Sequence, residues 1–239
     1  MGERLSDIWV YLAASPLLAL TMTLVAFQAA SWIHVKAGRP ALLNPVLLTV
    51  AAVVAVLVLT GTSYETYFEG AQFIHFLLGP ATVALAIPLY RQFERVKRSA
   101  FAVAASLLAG SLSAILASLG AGLVFGVDAA SLVSLAPKSA TAPVAMGIAE
   151  KLGGLPSLTA VFVILTGILG ASLGPPLLSL LRVRDEAARG LAIGTASHGI
   201  GTARALQDSE VAGAFSGLAM GLNALATALL VPIVWALLF

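Results

Sequence analysis

The sequence predicts an all-α integral membrane protein with about seven spanning helices, one re-entrant hairpin and broken helices at the bilayer midplane. Three observations lead there. The 239-residue chain is 59% hydrophobic and only 10% charged, with a mean hydropathy of +1.00, more apolar surface than a soluble domain can bury. Its apolar runs are long, rich in Ala, Leu, Val and Gly, and lack the period-two alternation of barrel strands. Polar and helix-breaking residues interrupt some of these runs at their centres.

About 20 apolar residues cross a hydrocarbon core. On that measure the expected spans are residues 9–33, 42–62, 71–90, 99–126, 157–181, 187–206 and 211–238. Residues 1–16 show no basic region followed by a cleavage site, so the first run reads as a retained helix. The net charge of +2 forms no basic face, and no nucleic-acid partner is expected. The absence of cysteine excludes disulfides, thiol catalysis and thiolate metal sites. No cofactor, metal or enzymatic pattern is implied, since His198 has no evident partner acid or nucleophile.

The stretch 129–152 differs from the spans, because APKSATAPVAMG at 136–147 puts two prolines, a lysine, a serine and a threonine at its centre. Its arms, 128–136 and 143–152, are each about 15 Å long at helical rise, half the core thickness. Charge agrees. Lys36 and Arg39 mark one basic loop, Arg91, Arg95, Lys97 and Arg98 a second, and Arg182, Arg184 and Arg189 a third. The positive-inside rule places all three on one side. A full crossing by 129–152 would separate the second loop from the third, whereas a hairpin that enters and returns keeps them together. This count leaves the N-terminus outside and the C-terminus inside.

Backbone freed by Pro137 and Pro143 must be covered by protein or by a water-filled cavity. Pro143 suits a first helical turn, and Ser139 and Thr141 are residue types that cap one. A half-helix N-terminus at the midplane would offer N–H groups and partial positive charge to a carboxylate, and Lys138 would add a full charge. The alternative is a kinked helix with Lys138 reaching the interface. A second interruption is GTASHGIGTARA at 194–205. There Gly199 and Gly201 would let backbone approach a ligand, Thr202 offers a hydroxyl, and His198 donates a hydrogen bond or carries a proton. The alternative is close helix packing, with His198 bonded internally. Arg204 either guides an anion inward or reaches the interface. A third interruption, FLLGPATVALAIP at 76–88, contributes Pro80 and Thr82, or is a plain proline kink. Laying GPATVALAIPL over APVAMGIAEKL, with Pro80 on Pro143, suggests an internal repeat of the kind that pairs broken helices in transporters. Asn223 either lines the site or cross-links helices.

Through APKSATAPVAMGIAEKLGG at 136–154 and ASHGIGTARALQDSEVAGAFSGLAMGLNALAT at 196–227, in order and spacing, the chain resembles the LrgB/CidB family. These are bacterial membrane proteins described as holin or antiholin partners and murein hydrolase regulators. The likeness covers nearly the whole chain. Lys138, Ser139, Thr141 and Pro143 fall on the family's lysine-serine-threonine-proline motif, with Ala140 where a β-branched residue is common. His198, Gly199, Gly201, Thr202 and Arg204 fall on its histidine-glycine motif. The family includes the membrane half of the plastidal glycolate/glycerate translocator, and pyruvate movement is linked to bacterial members. The resemblance therefore implies an inverted-repeat, elevator-type secondary carrier of small monocarboxylates in a bacterial cytoplasmic (inner) membrane. A homodimer surrounded by lipid is expected, with an LrgA/CidA-type membrane partner left open. The expected organisation is scaffold and dimer helices in 9–62, a first broken-helix unit in 70–126 and a second in 128–239. The alternative implied function is holin-like or antiholin-like, acting on murein hydrolase activity and membrane permeability.

Overall fold

The computed structural model describes residues 16–38, 43–84 and 86–239, and their regular structure is entirely helical. Among the described residues, four helices are long and apolar enough to cross a membrane, over Leu17–Lys36, Ala100–Val124, Pro156–Leu180 and Glu210–Leu238. Large apolar side chains cover the outside, with Phe101 87%, Leu59 85% and Val124 83% exposed. Such a surface is stable only against lipid, so the protein is an integral membrane protein.

The chain divides into two compact units after Ala84. In the first, α1 (Pro16–Lys36), α2 (Pro45–Thr60) and α3 (Tyr64–Ala84) are helices of a small bundle. Asn44 caps α2 by accepting from the N–H groups of Val46 and Leu47, and Gly61, at φ 64°, ends it in a left-handed turn. Thr23 donates to the Ala19 carbonyl, so the Tyr67 hydroxyl, 2.8 Å away, donates to Thr23 and ties α3 to α1. The expected break at Gly79-Pro80 is not one: α3 runs through Pro80 to Ala84, and α4 (Ala86–Arg91) follows. Residues 9–15 of the first expected span, Arg39, and the side chains of His75 and Thr82 lie outside the described residues.

In the second unit, α4 and α5 (Phe93–Arg98) lead into α6 (Ala100–Val124). Then come α7 (Ala129–Leu135), α8 (Ala142–Lys151), α9 (Pro156–Leu180), α10 (Glu186–Asp208) and α11 (Glu210–Leu238). Helices α6 and α11 run parallel, because Val103 packs on Phe215, Leu107 on Ala219, and Ile115 and Leu119 on Val231 and Val234.

Helices α7 and α8 form a hairpin around 136–141. Leu132, Ala136 and Ile148 share one cluster with Ile115, Leu119, Val231 and Val234, the C-terminal halves of α6 and α11. The chain then returns: the Leu155 N–H donates to Ser134 Oγ at 2.7 Å.

Helix α10 corrects a sequence expectation. Residues 187–206 read as a crossing, yet they fold back on themselves at His198 (φ 41°, ψ −136°). Ser209 Oγ donates to Glu186 Oε2 at 3.0 Å, whereas a straight helix would separate these residues by about 34 Å. On the ingoing arm, Gly190 and Gly194 meet the backbone of Ala212 and Ser216; on the returning arm, Leu206 packs on Gly213. One arm is thus parallel to α11 and the other antiparallel. Small residues allow this, since a Cβ on Gly201 would lie 2.6 Å from Ser197 Cβ and 2.9 Å from Ile193 Cγ2.

Two consequences follow. With 187–206 folded back, α11 starts beside the second and third basic loops and ends at the far end, so the C-terminus lies opposite those two, not with them as the count from sequence required. The second and third basic loops do share one end, where Arg95 pairs with Asp185 at 2.8 Å and Arg91 with Glu210 at 3.3 Å. The second consequence is a different repeat from the one that laid Pro80 on Pro143. Helices α6 and α9 are each 25 residues long. Each precedes an aspartate N-cap, Asp128 or Asp185, accepting from the N–H of Ser131 or Ala188. A hairpin follows each cap, and the two hairpins enter from opposite ends.

Candidate functional site

The two hairpin tips meet at Val163, the eighth of 25 residues in α9. Its side chain packs against Ala140 and Ala145 of the first hairpin. Its carbonyl oxygen lies 2.9 Å from His198 Nε2 of the second. A carbonyl only accepts, so Nε2 carries the hydrogen and donates. Gly167, one turn on, leaves room for the ring: a Cβ there would lie 2.6 Å from His198 Cε1.

The first tip is also held from the other side. Asn223, fully buried, donates to the Ser139 carbonyl at 2.9 Å and accepts from Ser111 Oγ at 2.6 Å. Ser111 is the twelfth of 25 residues in α6, and Asn223 the fourteenth of 29 in α11. Both tips therefore sit level with the middles of the long helices. In the second tip, Thr202 Oγ1 donates to the His198 carbonyl at 2.9 Å, so Ser216 donates to Thr202 at 3.0 Å. That bond braces His198 in a backbone conformation that L-residues rarely adopt, at a cost of about 1–3 kcal/mol.

Beside the tips lies a cavity of about 540 Å³. Lys138 and Ser139 from the first tip, Ser197 from the second and Thr166 from α9 line it, and its remaining walls are Ala, Gly, Leu and Ile. Lys138 is half-buried and has no ion pair or hydrogen-bond partner among the described residues. An unpaired ammonium among apolar side chains is costly, and the first turn of α8 adds N–H groups without intrahelical partners. Lysine, hydroxyls and amide ends together suit a small anion with hydroxyl or carbonyl groups. Among the described residues no cluster of His, Asp and Glu could hold a metal ion.

The residues expected from sequence separate into groups. Lys138 and Ser139 line the cavity. Thr141 stands at the N-cap of α8 without a capping side-chain bond, and Pro143 lies in its first turn. Asn223 fixes the first tip, while His198 and Thr202 fix the second. Gly199 and Gly201 lie in the returning arm, against Met220 and Ile193 respectively. Arg204 lies elsewhere, at the basic end in a separate cavity, paired with Asp208 at 2.6 Å. Pro80 is exposed in α3 of the first unit. Ser111, Thr166, Gly167 and Ser197 were not singled out. The spacing of small residues in TGILGASLG, 166–174, is the signal that marks α9 as a helix others approach closely.

Long apolar helices bracketing two opposed hairpins define a helical membrane protein with a polar centre. The chain belongs to the LrgB-like family, whose sequence model matches residues 23–237. It is 38% identical over 222 residues to the uncharacterized protein YxaC of Bacillus subtilis, covering 93% of this chain and 96% of that one. The uncharacterized protein YwbG of the same organism is 36% identical over 90% of this chain and 96% of its own. The holin-like protein CidB of Staphylococcus epidermidis is 35% identical, with 90% and 94% covered. No solved structure matches the chain.

Proposed function

We propose that the protein is a secondary carrier of small monocarboxylates of the glycolate, glycerate or pyruvate kind, bound between the hairpin tips. The observation that carries this reading is Lys138, unpaired among the described residues, in a cavity that both tips line. The lysine and the amide end of α8 neutralise the carboxylate, and Ser139, Ser197 and Thr166 bond its oxygens. His198 and Asn223 position the tips. Both hairpins are read as re-entrant, meeting at the bilayer midplane, where irregular backbone is tolerated only if protein or a wet cavity covers it. Transport is of the elevator type, the hairpins and their supporting helices moving as one body, in a homodimer. The membrane is a bacterial cytoplasmic membrane, with the basic end inside.

A second reading is favoured by the name of the CidB relatives, holin-like, and would extend to a CidA-type partner. It makes the protein a regulator of membrane permeability and murein hydrolases. Such a role does not call for an unpaired lysine between two tips. Flux into proteoliposomes decides: saturable labelled glycolate uptake with counterflow supports the carrier, and leak of unrelated solutes supports the holin-like reading.

A further inference from the structure

A second cavity, of about 590 Å³, opens at the basic end, between the end of α9 and the base of the α10 hairpin. Four arginines line it, Arg182, Arg184, Arg189 and Arg204, against two carboxylates, Glu186 and Asp208. The charges are not equally free. Arg189 donates to the Pro175 and Val183 carbonyls and to Ser179 Oγ, holding the end of α9 to the hairpin base. Arg204 is paired with Asp208, and Glu186 accepts from Ser209. Arg182 and Arg184 are exposed and have no ion pair among the described residues.

Arg182 carries a second signal. It sits at φ 59° in the turn that ends α9, where glycine is the usual occupant. A residue kept in an unfavourable backbone conformation beside a cavity points to a use for its side chain. Ile193 is a wall shared by this cavity and the cavity of Lys138.

We propose that this cavity is an outer anion site, in which Arg182 and Arg184 collect a small carboxylate from the basic side before it passes along Ile193 to Lys138. The inference rests on the carrier reading. With four arginines against two carboxylates the cleft is net positive, and such a field raises the local concentration of anions, an effect that salt screens.

The test is uptake of labelled glycolate into proteoliposomes at low and high ionic strength. For the wild type, salt should raise the half-saturation concentration by about tenfold. The double variant Arg182→Gln, Arg184→Gln should begin at the raised value, lose the response to salt and keep the same maximal flux. Arg182→Lys with Arg184→Lys should behave as wild type. Arg182→Gly, which relaxes the turn, should melt no lower than wild type yet take up glycolate less well, an outcome that a purely structural arginine would not give. Saturable wild-type flux with an unaltered salt response in the double glutamine variant would overturn this inference alone. Absence of saturable wild-type flux would overturn the carrier reading itself.

Discussion

His198 of the second hairpin donates from Nε2 to the carbonyl of Val163 at 2.9 Å, while the Val163 side chain rests on Ala140 of the first. One residue of α9 thus holds together two tips whose aspartate N-caps, Asp128 and Asp185, lie 57 positions apart. Ser197, the neighbour of His198, lines the Lys138 cavity, so displacing His198 should disturb that wall.

Gly167→Ala is the smallest such change. Its new Cβ would lie 2.6 Å from His198 Cε1 and 2.9 Å from Nε2, so the ring must move. We expect a loss of about 1–3 kcal/mol in stability and at least about a tenfold fall in glycolate uptake. Gly120→Ala in α6, where nothing lies within 4 Å of the added carbon, should be neutral in both uptake and melting temperature.

Asn223→Leu removes the link between α11 and the first tip, leaving the Ser111 hydroxyl and the Ser139 carbonyl without this partner. The expected cost is about 1–2 kcal/mol, read as a lower melting temperature in detergent. Uptake should fall with it, because the Ser139 backbone is no longer fixed.

Lys138→Met should separate stability from function. Replacing an unpaired ammonium by an apolar side chain of similar length removes a desolvation cost, so melting should rise or stay level. Uptake of glycolate should be abolished. A variant that melts normally and still transports would remove Lys138 from the site.

The fold-back of α10 has its own check, and the chain holds no cysteine to complicate it. A double variant, Glu186→Cys with Ser209→Cys, should be joined within one chain by a short bifunctional thiol reagent, since the native side chains touch. A crossing helix would keep them about 34 Å apart and leave the two thiols unlinked.

The first tip was legible in the sequence because its signals are local: two prolines, a lysine and two hydroxyls within eight residues, flanked by arms too short to cross. The second tip was legible only as a polar patch. Its fold-back depends on Gly201 lying against Ser197 and Ile193, four and eight positions earlier in the chain, and neither apolar periodicity nor length separates that from one 20-residue span. The place of Arg204 at the basic end and the side of the C-terminus both follow from this fold-back. Asn223 was readable as polar at membrane depth, but its partners, Ser111 and the Ser139 carbonyl, come together only through the parallel packing of α6 and α11. At Pro80 the sequence overstated the break, since a proline can be accommodated within a continuous helix.

The central claim is that an anion sits against Lys138 between the two tips. Ser139→Cys places one thiol in that cavity and keeps the lysine. Glycolate should slow its labelling by a small thiol reagent in a concentration-dependent way, and Lys138→Ala in the same background should abolish the protection. Labelling that glycolate leaves unchanged, or protection that survives loss of the lysine, would contradict the account.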